Sequence, residues 1–118
     1  MLYSASGADP MLPAPAVSRI LAHRTPVDMR KSFDGLIALV KNVLEEDPLS
    51  GTLFVFVNRR GNYVKSVYWD RTGFCLFAKR LEHGRFTIPG TSVTEELNEQ
   101  ALRLVLDGIS LGGRRRMQ

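Results

Sequence analysis

The sequence is short of the residues from which catalytic and structural metal centres are most often made. It has one cysteine, Cys75, and two histidines, His23 and His83. A single cysteine permits no internal disulfide, which suits a reducing compartment. Three such residues are also too few for a structural zinc site. Cys75 stands in the apolar run Gly73–Phe77, the setting of a packing thiol rather than a nucleophile. No stretch approaches the ~20 apolar residues that cross a bilayer. The N-terminus lacks a basic start followed by an apolar core, so it does not read as a secretory signal. The expectation is a soluble cytoplasmic protein with no membrane partner.

Enzymatic signatures are equally scarce. His23 and His83 have no motif around them, and a surface or hydrogen-bonded structural role is expected for each. No G-x-S-x-G elbow or Walker loop is present, and the glycines are dispersed through turns. A metal-dependent nuclease needs carboxylates converging on one or two ions. Lys65 is preceded at the useful spacing by Tyr63 rather than an acid. Asp70 falls in a turn, and Asp28 and Asp34 bracket a helix start without a third partner. The chain therefore reads as a non-enzyme with no cofactor and no metal.

What is present is unevenly distributed charge. The 118 residues carry 16 Lys and Arg against 12 Asp and Glu, a net charge of +4. Residues 1–51 hold five basic against six acidic residues, residues 52–89 seven against two, and residues 90–118 four against four. The excess lies in the middle of the chain, which favours a polyanion, most commonly nucleic acid. A merely solubilising surface is the competing explanation.

The hydrophobic pattern predicts an α+β fold of one domain. Residues 1–16 are rich in Ala, Ser and Pro and read as a disordered leader, with Met11 an alternative start to Met1. Residues 17–110 form the domain, and 111–118 a flexible basic tail containing Arg114, Arg115 and Arg116. Val17–His23 is β-permissive and ends at Thr25-Pro26. Phe33, Leu36, Ile37, Val40, Val43 and Leu44 make one apolar face of a helix over about 30–46. Asp28 and Ser32 are its candidate caps. The acids Glu45, Glu46 and Asp47 crowd its end, most simply as a solvated terminus, or else as a dock for a basic partner.

Leu53–Val57 is apolar on both faces and therefore a central, covered strand. Arg59–Asn62 is a turn, Tyr63–Trp69 the returning strand, Asp70–Gly73 a turn and Phe74–Arg80 the next strand. Arg85–Ile88 is expected as a short further strand ending at Pro89. Ser92–Glu95 has the form of a capping box, opening a second amphipathic helix through Leu97, Ala101, Leu104 and Val105 that stops at Gly108. The predicted architecture is an antiparallel β-meander of about four strands, five with the N-terminal one, flanked by two helices that cover both faces of Leu53–Val57.

Adjacent strands lie only ~4.8 Å apart, so Arg59, Arg60, Lys65, Lys79, Arg80 and Arg85 are candidates for one phosphate-binding patch. Tyr63, Tyr68 and Trp69 are interleaved with them. Tyr63 is the candidate base-stacking ring, and Trp69 the candidate core residue.

Several blocks resemble a known family. Val27–Leu36 (VDMRKSFDGL), Asp47–Gly51 (DPLSG), Leu53–Gly61 (LFVFVNRRG), Lys65–Asp70 (KSVYWD) and Gly73–Phe86 (GFCLFAKRLEHGRF), closed by Pro89, are similar in order and spacing to the TnpB, or Orf-two-like, proteins of insertion-sequence 66 elements. The resemblance covers roughly Val17 to Ile109. Ile88 stands where an aromatic is frequent, and the Pro-rich leader is unusual. The resemblance implies a non-catalytic accessory protein of DNA transposition, encoded beside a DDE-type transposase, and brings no catalytic residues. Arg30 and Lys31 join the candidate DNA-binding residues because, like Lys65, Lys79 and Arg80, they lie within these blocks. The expected partner is DNA; the alternative is an adaptor for the transposase or a second element-encoded protein.

Overall fold

A computed structural model describes residues 17–109; the expected leader, the alternative start at Met11 and the arginine tail lie outside them. Five strands and two helices follow in the order β1 (Ile20–His23), α1 (Phe33–Asn42), β2 (Leu53–Val57), β3 (Tyr63–Asp70), β4 (Gly73–Arg80), β5 (Thr94–Leu97) and α2 (Glu99–Leu106). The strands form one sheet ordered β4-β3-β2-β1-β5. The α+β class and the two flanking helices are as the sequence predicts.

The doubly apolar β2 is the middle strand, and all five of its residues are buried. Leu53, Val55 and Val57 point into a core that Leu102, Val105 and Leu106 of α2 complete. Phe54 and Phe56 point the other way, into a core shared with Leu36 and Val40 of α1. A strand with no polar alternation has no face to give to water, so it must be covered twice.

The topology departs from a simple meander. β2, β3 and β4 do run antiparallel, but β1 lies parallel to β2, with Ile20 opposite Leu53. A helix between two neighbouring parallel strands is the ordinary crossover for that arrangement. The expected strand at Arg85–Ile88 is absent. That segment turns across the β2–β3 hairpin, the Phe86 N–H donating to the Gly61 carbonyl at 2.7 Å, and buries Phe86 and Ile88 in the α2-side core. The fifth strand is instead Thr94–Leu97, antiparallel to β1.

Ser92–Glu95 is therefore not a helix start. Its side chain–backbone half is nonetheless made, the Ser92 N–H donating to Glu95 Oε2 at 2.6 Å. The bond closes a turn into β5 rather than a helix. The α2 cap is Asn98, whose Oδ1 accepts from the Ala101 N–H at 2.7 Å, and Leu97 belongs to the strand. The first helix is also shorter than 30–46. It ends where the Glu46 N–H reaches back to the Val40 carbonyl across Glu45, which sits at φ 56°. Ser32 occupies the N-cap without a side-chain bond, and Asp28 binds Arg30 instead. At the end of α2, Gly108 takes φ 78°, the left-handed stop expected of glycine.

Candidate nucleic-acid interface

The β2–β3 hairpin is built around Asn58. Its Oδ1 accepts from the Asn62 and Tyr63 N–H groups at 3.0 and 3.1 Å, and its Nδ2 donates to Asn62 Oδ1 at 2.8 Å. This side-chain brace fixes the turn and leaves Arg59 and Arg60 exposed at the tip. Gly61 takes φ 75°, and a Cβ there would lie 3.2 Å from Arg85 Nε, so the Arg85 side chain crosses the turn against it. An open cleft of about 380 Å³ separates Arg59 and Arg60 from Pro26, Val27, Asp28 and Met29. The segment before α1 is held beside the hairpin because the Val27 N–H donates to the Val57 carbonyl at 2.8 Å.

Strand alternation sorts the remaining cations. Tyr63 and Lys65 share the α1 side with Val67, and Arg80 lies opposite Tyr63 on the same side. Lys65 Nζ donates to the Lys31 carbonyl at 2.7 Å and lies 5.9 Å from the centroid of the Tyr63 ring, a cation–π distance. Lys31, Arg59, Arg60, Tyr63, Lys65, Arg80 and Arg85 thus gather around one end of the sheet.

Two candidates behave differently. Lys79 faces the α2 side, where its Nζ donates to the Leu106 carbonyl at 2.8 Å. It satisfies the open carbonyl end of α2 and is separated from the patch by the sheet itself. Arg30 is bound by Asp28, with its NH2 group 2.7 Å from Oδ2 and Nε within reach of both carboxylate oxygens. That pairing holds the Asp28 carboxyl down at about 2 and neutralises most of what Arg30 adds to the local field. Arg80 has a looser partner, Glu82 at 4.0 Å, with both side chains largely exposed. Among the described residues no carboxylate pairs with Arg59, Arg60 or Arg85.

Burial does not separate the two aromatic candidates. Trp69 packs edge-on against Phe74 with centroids 4.9 Å apart, yet it stays half-exposed like Tyr63, which lies among the cations. His23 is not a surface residue. It is buried at the end of β1, edge-on to Phe56, and its Nδ1 has no hydrogen-bond partner. Burial lowers its pKa below the ordinary value of 6.5. Cys75 is half-buried against the α2-side core. Among the described residues, no three His, Cys, Asp or Glu side chains converge where they could hold a metal ion, and no helix is long and apolar enough to cross a membrane.

Two residues were not legible as important beforehand. Asn58 carries the hairpin, and the Asn-x-x-Gly spacing to Gly61 was the available signal. Arg24 donates to the Ile88, Pro89 and Ser92 carbonyls at 2.7 to 2.8 Å and pairs with Glu95 at 3.4 Å. It clamps the loop before β5, and nothing local in its sequence indicates so distant a partner.

Comparison with known proteins points in one direction. The family described as "IS66 Orf2 like protein" matches residues 18–116. Two Sinorhizobium fredii proteins are similar. The protein y4hO is 43% identical over 79 residues, covering 67% of this chain and 69% of its own length. The protein y4jC is 42% identical over 71 residues, covering 60% of this chain and 61% of its own length. No solved structure matches the chain.

Proposed function

This chain belongs to the IS66 Orf2-like family, whose role in an insertion sequence is an accessory one, and on that basis we propose that it is a non-catalytic protein that assists transposition by binding DNA. The supporting observation is the gathering of Lys31, Arg59, Arg60, Lys65, Arg80 and Arg85 around a braced hairpin, with Tyr63 half-exposed among them. Cations spaced over a rigid turn suit phosphate oxygens and give sequence-tolerant contact. The neighbouring tyrosine supplies a face on which an unpaired base can stack. Lys79 is outside this role because its ammonium is engaged on the opposite face.

The test is binding of the full chain to duplex and single-stranded DNA across a salt series, by fluorescence anisotropy. Replacing Arg59, Arg60 and Arg80 together by alanine is expected to flatten the dependence of log K on log salt by roughly 2 to 3, since each lost phosphate contact removes about 0.9. Binding that is independent of salt, or unchanged in the triple variant, overturns the reading. The adaptor reading has its own support in the exposed Val43 and Leu49, which flank the acidic end of α1. Co-purification with the element's transposase in place of DNA binding would favour it.

A further inference from the structure

The two edges of the sheet are finished very differently. β5 is four residues long and carries Glu95 and Glu96, and short, charged strands resist pairing with strangers. β4 at the other edge has eight residues, of which Phe74, Cys75, Leu76, Phe77 and Ala78 are consecutive and apolar. None of the eight is fully buried, whereas every residue of β2 is. Among the described residues, no backbone hydrogen bond reaches Gly73–Arg80 from outside the β3 ladder. β4 has no proline, and its charges sit only at one end. A long, apolar edge of this kind is a template for another strand.

We infer that β4 pairs antiparallel with β4 of a second copy of this chain, making one ten-stranded sheet about a twofold axis normal to it. The sequence of β4 is what selects a second copy. A twofold axis of this orientation keeps each face of the sheet on its own side, so opposed residues share parity and the register can change only in steps of two. With Leu76 opposite itself, Phe74 faces Ala78 and Cys75 faces Phe77, a large residue against a smaller one at each flanking position. Lys79 then meets Gly73, which has no side chain, and Arg80 meets Thr72.

The neighbouring registers are worse. Sliding one way sets Phe77 opposite Gly73 and carries Ala78 past the end of the strand onto the Asp70–Gly73 turn, leaving two of the five apolar residues without an apolar partner. Sliding the other way sets Cys75 opposite Lys79 and Phe74 opposite Arg80, which breaks the apolar block. Only the register centred on Leu76 keeps all five apolar residues paired and all cations apart. The interface is isologous and closes on itself, as twofold contacts do. This inference does not depend on DNA binding and is tested without DNA. Its geometric consequence is that the basic α1 sides of both copies lie on the same side of the joined sheet.

The experiment is sedimentation velocity on the full chain from low to high micromolar concentration, together with disulfide trapping. In a Cys75→Ala background, Leu76→Cys is expected to cross-link to itself under mild oxidation, because opposed Cα atoms in an antiparallel pair lie ~4.5–5.5 Å apart, within disulfide reach. Ala78→Cys in the same background is expected not to cross-link, because four residues of offset separate the two thiols by about 14 Å. A third variant, Leu76→Lys, is expected to sediment as a monomer while retaining its circular dichroism spectrum. A wild-type chain that stays monomeric throughout, or equal trapping at positions 76 and 78, overturns the inference.

Discussion

The two faces of the sheet carry charged side chains of the same kind but use them differently. On the α2 side, Lys79 is bound to the last turn of a helix, and beyond the sheet's edge Arg24 is bound to three loop carbonyls. Beside the segment before α1, Arg59 and Arg60 have no carboxylate partner among the described residues. Charge on the closed α2 face completes backbone hydrogen bonds, as Lys65 does with the Lys31 carbonyl on the α1 face, whereas Arg59 and Arg60 at the hairpin tip are left to the solvent and to whatever approaches. Composition alone counts these cations as equals. Their position on the sheet decides which ones hold the fold together and which ones are available.

The sharpest way to break this contrast is to attack the closed face. Leu102 on α2 is fully buried, and Leu102→Ala is expected to cost about 2–5 kcal/mol of unfolding free energy by denaturant titration. A cost below about 1 kcal/mol would mean that α2 is loosely seated and that the faces are not so different.

A smaller effect separates two adjacent residues. Lys79→Met is expected to lower stability by about 1 kcal/mol, the worth of a hydrogen bond from a charged group after partial exposure is allowed for, and to leave the salt dependence of DNA binding unchanged. Arg80→Met is expected to do the reverse, with stability within about 0.5 kcal/mol of the parent and a salt slope shallower by about 0.9. Identical behaviour of the two variants would erase the distinction between the faces.

The smallest effect is a pH dependence. His23 has its pKa lowered by burial on folding, so the unfolded chain binds its proton more readily than the folded one. Stability is then complete above the unfolded pKa of ~6.5 and declines as pH falls below it, by at most about 1.4 kcal/mol per pH unit for one group. Melting temperatures measured from pH 8 to pH 5 should show the decline, and His23→Phe should flatten it.

Much of this fold was legible because its strongest signals are local. β2 announces its central position through the absence of any polar residue between Leu53 and Val57. Helical spacing located α1 and α2, although Phe33 and Val43 of the expected α1 face are exposed and the fully buried α2 residues are Leu102, Val105 and Leu106, and Gly108 marks a stop. The parallel β1–β2 pair follows from strand, helix, strand in succession, but only if β1 is given equal weight with the longer strands. β5 was hidden because Leu97 lies in phase with Ala101 and Leu104, so a strand residue counted as the first turn of a helix. The patch was legible as a group of cations, but Lys79 and Arg80 were merged. A period of two puts neighbouring residues on opposite faces, and that rule was sufficient to divide them. Arg30 looked available until Asp28, two residues away, took up its charge.

The clamp at Arg24 also ties together two parts of the chain that are far apart in sequence. β2, β3 and β4 are consecutive hairpins, whereas β5 joins β1 across a loop that begins at His23 and ends at Thr94. Residues 20–23 and 94–97 therefore pair only across the whole intervening chain, and without β5 the strand β1 is a second open edge. Local pairings form readily and long loops close late. By binding the Ile88, Pro89 and Ser92 carbonyls, the Arg24 guanidinium fastens the segment that leads into β5 and so latches that border of the sheet.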